Sequence, residues 1–326
     1  MATSGTIGNT RVDVSRILEK AVRRCGLSPQ VLTPEIVDFA KEDLFLLLMG
    51  LIDRGLNLWC IDRFQFAVKR GQATYTLPVG TLDILNAQFV TPFRLDYTQV
   101  SGSGFTSVSF ADVTDVVEFG VKFSVLPTAP VLFQSSEDGG STWKTLVTIS
   151  EFPEVGMFSW HSLPVRASVK DYRVQSSALG TVSDLFLSAQ VREIQITPFN
   201  RDDYSNQPDK NFMSTTVTNY FFEKLVTPRI TFWPVPSTDE RFVAMFRYRQ
   251  IQDVGSLTTE LELPTRWYEA VIWQLALRLA FEFPSVDSSR RAEVSQMADK
   301  MLGEVEGGET DSAPVYFAPN IRGYTR

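Results

Sequence analysis

Val14, Ile17, Leu18, Ala21, Val22 and Cys25 recur at helical spacing, with Arg16, Lys20, Arg23 and Arg24 on the other side. Gly26 offers a left-handed stop and Pro29 follows, so the spacing predicts a first helix ending at Cys25-Gly26-Leu27. A second helix opens with Thr33 as cap, Pro34 at the first helical position and Glu35 near the positive end of the dipole. It is expected to run to about Arg54, where Gly55 ends it. Its first half carries a polar stripe of Glu35, Asp38 and Glu42. Its second half, Leu44 to Ile52, is apolar all round and predicts burial in a core or a subunit interface.

The period then changes. Phe64, Phe66 and Val68 alternate with Gln65, Ala67 and Lys69; the turn Arg70-Gly71-Gln72 follows, then Tyr75 and Leu77 alternate with Thr74 and Thr76. This predicts a hairpin with one wet face, closed by Pro78 and Gly80. From about Ser101 short apolar strands alternate with turn signals, as in VSFADVTDVVEFG and VKFSVLPTAPVLFQSS, which is the spacing of a β-sandwich. Asp138-Gly139-Gly140 predicts a tight hairpin turn, and Trp143 is expected to point into the sandwich core.

At Val191 the pattern of the N-terminal segment returns. REIQITPFNRDDYSNQPDK reads as a strand and a polar turn, and residues 219–250 as three strands, the middle one ended by Pro234 and Pro236. Pro264 opens a helix from about Thr265 to Phe283 whose polar positions Gln274, Arg278 and Glu282 form one narrow stripe. A more polar helix, about Ser288 to Glu306, ends at Gly307-Gly308, and the tail ETDSAPVYFAPNIRGYTR predicts an extended segment. The fold class expected is α+β: a helical-bundle core with a β-hairpin or small sheet, interrupted by an all-β sandwich insertion. The expected division is residues 1–98 for the first part of the core, 99–190 for the insertion, 191–308 for the second part and 309–326 for the tail.

Composition narrows the chemistry. At 326 residues and 44% hydrophobic, the chain can bury a core in each of two domains. A formal charge of −7 argues against gripping nucleic acid over a broad surface, which needs clustered Lys and Arg. With one histidine, His161, a His-based triad or multi-histidine zinc site is not expected; Cys25 and Cys60 read as small buried hydrophobes, not a disulfide. GxxxxGK[ST], GxGxxG and HExxH do not occur. No catalytic residue, cofactor or metal is expected, and the protein is not expected to be an enzyme. MATSGTIGNTRVDVS has no apolar h-region, and the longest apolar run is too short to span a bilayer, so neither a signal peptide nor a membrane association is expected.

Several phrases occur in order: Cys25-Gly26-Leu27 followed by a long acidic-to-apolar helix, FAVKRGQATYTLP (Phe66 to Pro78), NRDDYSNQPDK (Asn200 to Lys210), ITFWPVPSTDERFVAMFRYRQIQD (Ile230 to Asp253) and LPTRWYEAVIWQLALRLAFEFP (Leu263 to Pro284). Over about 230 residues outside the insertion, they resemble the head-to-tail adaptor family of tailed bacteriophages, also called tail accessory or head-completion factors. The resemblance implies that the flanks are the adaptor core. It implies a homo-oligomeric ring, typically dodecameric, under the portal protein in the neck of the virion, assembled in the host cytoplasm. Packaged DNA would pass through the centre without sequence-specific binding, and a downstream tail or nozzle protein would dock below. It also implies that the tail grips the portal, which singles out Val315, Tyr316, Phe317, Ile321, Tyr324 and Arg326. The β insertion departs from minimal family members.

Glu35, Asp38 and Glu42 fit a DNA-channel lining, because phosphate binding needs cationic partners and an acidic wall lets DNA slide. An ordinary solvated helix face explains the same stripe. Asp202, Asp203 and Asp209 lack the ligand spacing of a calcium loop and read as turn acids, as do Glu137 and Asp138. The alternative function is a carbohydrate-binding or host-surface attachment protein, with the β-sandwich as its functional part; FQSSEDGGSTWKTL and DYRVQ resemble discoidin-like sandwiches.

Overall fold

Val14, Ile17, Leu18, Ala21 and Val22, the apolar stripe of the first helix, are all buried in the computed structural model, which describes residues 12–53, 58–252 and 254–308. The helices are α1 (Val14–Arg24), α2 (Pro34–Asp53), α3 (Arg201–Ser205), α4 (Tyr268–Glu282) and α5 (Ser288–Gly308). Short 3₁₀ turns cover Pro29–Val31, Leu58–Cys60 and Thr265–Trp267. Contacts divide the chain between residues 61 and 62 and between 249 and 250.

The first unit falls within residues 1–61 and 250–326, and its described residues are mainly helical. Asp13 caps α1 by accepting the Arg16 amide at 2.9 Å, and Gly26 ends the helix region at a φ of 84°, as glycine permits. α4 is the hub. Cys25 Sγ donates to Ala276 O at 3.2 Å, and the Arg24 guanidinium pairs with Glu269 at 2.6 Å while lying over the Trp273 ring. The polar stripe of α4 does not simply face water. Gln274 donates to Ala298 O of α5 and Arg278 to Asp43 O of α2, so two of its three polar positions tie neighbouring helices. Both cysteines are buried, and burial pushes the Cys25 thiol up to about 11.

The second unit, residues 62–249, holds the strands. In chain order these are β1 (Ile61–Ala67), β2 (Thr74–Thr76), β3 (Thr81–Arg94), β4 (Thr98–Gly102), β5 (Phe105–Val125), β6 (Val131–Ser136) and β7 (Lys144–Ile149). There follow β8 (Phe158–Gln175), β9 (Thr181–Phe199), β10 (Met213–Ser214), β11 (Asn219–Glu223), β12 (Arg229–Trp233), β13 (Val235–Pro236) and β14 (Phe242–Arg249). Twelve form one sheet in the order β1-β14-β3-β9-β5-β8-β6-β7, with β4 on β5 and a branch β9-β11-β12-β2; β10 and β13 make a small parallel pair.

The expected helical-bundle core with a small sheet is therefore corrected. The described residues are 42% strand and 28% helix, and their largest feature is a curled, mostly antiparallel sheet. The reason is strand length. β3, β5, β8 and β9 run 14 to 21 residues, far beyond the usual five or six, and each strand serves more than one neighbourhood. β9 crosses residue 190 unbroken: Thr181–Ser188 pairs with β5, Ser188–Ile196 with β3, and Thr197–Phe199 with β11.

Alternation along these strands builds separate cores. Phe119, Val121 and Phe123 face a cluster whose buried members come from residues 108–187, with half-buried Leu95 and Tyr97 packed against it. On the opposite face of the same ladder, Phe158, Trp160 and Phe186 pack with Ala67, Val90, Phe242 and Ala244, which come from β1, β3 and β14. A third cluster, including Tyr75, Phe89, Tyr220 and Phe232, fills the curl closed by β2, β11 and β12.

Two local expectations also change. β1 and β2 are not a hairpin: β1 lies on β14, while β2 pairs with β12. Trp143 does not enter a core; it is half-buried, donates its indole N–H to Gly140 O and lies under Arg173.

Candidate functional site

Three places carry chemistry. The first is the solvent face of α2. Ala40, Leu44, Leu47, Leu48 and Leu51 turn inward, leaving Glu35, Asp38 and Glu42 exposed on the other side. Phe39 and Leu46, 46% and 55% exposed, interrupt that acidic stripe, so the run from Leu44 to Ile52 is not buried all round. Asp43 lies at the stripe's border; burial raises its carboxyl, with Arg278 opposing and Glu282 and Glu42 adding to the rise. An exposed acidic face of this kind repels phosphate. Val315, Tyr316, Phe317, Ile321, Tyr324 and Arg326 lie outside the described residues.

The second is a cleft of about 550 Å3 in the strand unit. β1 lines one wall with Phe64, Gln65, Phe66 and Ala67, and β8 another with Phe158, Ser159, Trp160 and His161. The segment Glu151–Glu154 forms a rim, with both glutamates exposed. Gln65 Nε2 donates to Trp160 O at 2.8 Å across the cleft. His161 stacks on Phe119 with centroids 5.3 Å apart, and its Nε2 shares a 2.8 Å hydrogen bond with Ser159 Oγ. Burial holds its imidazole down to about 4, so it is neutral at physiological pH. The sequence offered no signal for this cleft, because its walls are about 95 residues apart.

The third is a buried acid. Glu118 on β5 is 4% exposed and its Oε1 has no hydrogen-bond partner. Burial raises it to about 7, against the lowering effects of the Ser162 hydroxyl and the Arg63 charge, while Glu193 adds to the rise.

Three of the acids singled out in the sequence serve local structure. Asp203 closes a capping box with Asn200 at the start of α3, and Asp202 sits in the same first turn. Asp138 accepts from Ser136 Oγ, the Thr142 amide and Thr142 Oγ1, which holds its carboxyl down to about 2 and fixes the turn at Gly139 and Gly140. Among the described residues no cluster of His, Cys, Asp and Glu could hold a metal ion, and no helix is long and apolar enough to cross a membrane.

The family model for the SU10 adaptor protein matches residues 155–322, just over half the chain. The chain belongs to the SU10 adaptor protein family, a bacteriophage adaptor family, and is accordingly a component of the virion. The match begins just before β8, so part of the segment read as an insertion lies inside the family region. No curated protein matches the chain. Similar solved structures include the CBM32-1 and CBM32-2 domains of Clostridium perfringens ZmpB, at 13% identity and a TM-score of 0.25, covering 40% of this chain and 41% of that one. CBM32-1 from a family 31 glycoside hydrolase of Clostridium perfringens is 12% identical with a TM-score of 0.20, covering 40% of this chain and 93% of that one. A rhamnosidase from Novosphingobium sp. PP1Y is 10% identical with a TM-score of 0.23, covering 76% and 28%. The chain thus spans less than half of the first of these, and likenesses this low carry no argument about what it binds.

Proposed function

We propose that this protein is the head-to-tail connector of its phage, a structural part rather than an enzyme. Copies of the chain form a ring beneath the portal, DNA passes through the centre, and a tail or nozzle protein docks on the far side. Membership of the adaptor family is the observation that supports this reading most. The exposed face of α2 agrees with it, since Glu35, Asp38 and Glu42 suit a channel wall that must not hold phosphate, while Phe39 and Leu46 suit a neighbouring copy.

In this reading the segment from Ser312 to Arg326 grips the portal, through Val315, Tyr316, Phe317, Ile321, Tyr324 and Arg326. One such contact is weak, and a ring presenting many copies gains through effective concentration. Deleting Ser312–Arg326 is expected to leave a folded protein that no longer joins the portal, giving DNA-filled heads that leak or lack tails. If the truncated protein binds portal as tightly as the full chain, the grip lies elsewhere.

A further inference from the structure

The cleft in the strand unit lies along strand edges, not on a sheet face. Successive residues of a strand point to opposite faces, so a cavity touched by four in a row is seen edge-on. Both walls have that character: residues 64–67 of β1 and residues 158–161 of β8. β1 is an end strand of the sheet, with β14 on one side only. Residues 158–162 of β8 pair with β5, and β6 joins β8 further on, at residues 171–175. Among the described residues, then, the sheet β1-β14-β3-β9-β5-β8 curls until two unpaired edges face each other, over the apolar cluster of Ala67, Trp160, Phe186 and Phe242. The Gln65 side chain bridges the gap by reaching the Trp160 carbonyl, a main-chain acceptor that an incoming strand would use.

We infer that this gap receives an extended, lysine- or arginine-bearing segment of another protein, which adds a strand between β1 and β8. Main-chain hydrogen bonds to an exposed edge supply the affinity in such additions, and side-chain pockets supply the choice of partner. Charge selects the partner here. The rim bears Glu151 and Glu154, both exposed, and none of the residues lining the cleft is Lys or Arg. His161 adds no positive charge at physiological pH, so the rim favours a cation and rejects phosphate or an acidic chain. Phe64, Phe66 and Phe152, all half-buried, give apolar surface for the segment's alternate side chains.

The search for the partner among virion proteins rests on the proposed connector role, but the binding test does not require a ring. Short overlapping peptides covering the other structural proteins of the virion are titrated against the full chain, beside peptides of the chain itself and a set of neutral oligosaccharides. The expected binders are basic peptides of another protein, weakened roughly tenfold or more by Glu151→Lys together with Glu154→Lys at low salt. Both substitutions lie on an exposed rim, and an unchanged melting temperature confirms that the variant is folded. Amides of residues 64–67 and 158–161 are expected to gain protection from hydrogen exchange when the peptide binds. Binding only by the chain's own peptides, only by sugars, by acidic peptides, or by nothing overturns the inference. So does binding that is indifferent to the charge reversal. Failure to form a ring is read separately, from particle mass, and leaves these outcomes distinct.

Discussion

Gly120 sits opposite Trp160 on the β5–β8 ladder, and a Cβ there would lie 2.8 Å from the indole atoms Cε3 and Cζ3. The glycine is needed for close approach, since its backbone is not in the left-handed region. Trp160 in turn stacks on Phe242 at 5.3 Å and meets Phe186 edge-on at 5.1 Å, which joins β8 and β9 to β14. Gly120→Ala is therefore expected to cost about 1–3 kcal/mol by overpacking, measured by chemical denaturation, and to shift tryptophan fluorescence. An unchanged midpoint would mean that the indole yields freely.

Trp273 and Gln274 are neighbours on α4 with different duties. Trp273 is 6% exposed, donates to Glu269 at 3.0 Å and lies beneath Arg24. Trp273→Ala should cost about 3–5 kcal/mol as a large-to-small core change. Gln274→Ala loses one hydrogen bond to Ala298 O, and should cost about 0.5–1.5 kcal/mol. Equal losses would contradict the assigned packing; no loss at Gln274 would mean that the bond to α5 is not held in solution.

His161 is the chain's only histidine, so its ring gives one resolvable NMR titration. The signal is expected to stay neutral through pH 6 and titrate near 4, because burial disfavours the imidazolium. The sign for stability follows from its folded value lying below the ordinary 6.5: its contribution is intact above 6.5 and is lost as pH falls toward 4. A midpoint near 6.5 would place the ring in water.

Glu118 works in the opposite direction. Its folded value, about 7, lies above its ordinary 4.5, so the folded state holds a proton that the unfolded chain releases. Its penalty is absent below about 4.5, grows as pH rises toward 7 and then levels, reaching on the order of 3 kcal/mol. Glu118→Gln should therefore gain stability over the parent chain as pH rises across that window. A constant difference would show that the carboxyl is solvated.

Much of the local structure was legible in the sequence. Thr33-Pro34-Glu35 marked the start of α2, Gly26 the end of α1, and the apolar density of residues 265–283 the hub helix. The sheet was not legible, for a physical reason. Alternation tells which way a strand's side chains point but not which strand lies beside it, so β1 and β2, joined by a short turn, read as a hairpin although they join different neighbours. The shift in residue usage near residues 98 and 190 was real in composition. It marks where long shared strands pass from one buried cluster to another, as β9 does between Leu187 and Ile196. The acidic stripe on α2 is exposed, as its helical spacing suggests; the cleft between β1 and β8 needed the tertiary fold.

The connector role is tested most directly by electron microscopy of the purified chain, alone and mixed with the portal protein of the same virion. A closed ring of many copies is expected, seated coaxially on the portal with an open central channel, in the mixture if not before. A chain that stays monomeric beside free portal, with no joint particle, would contradict it.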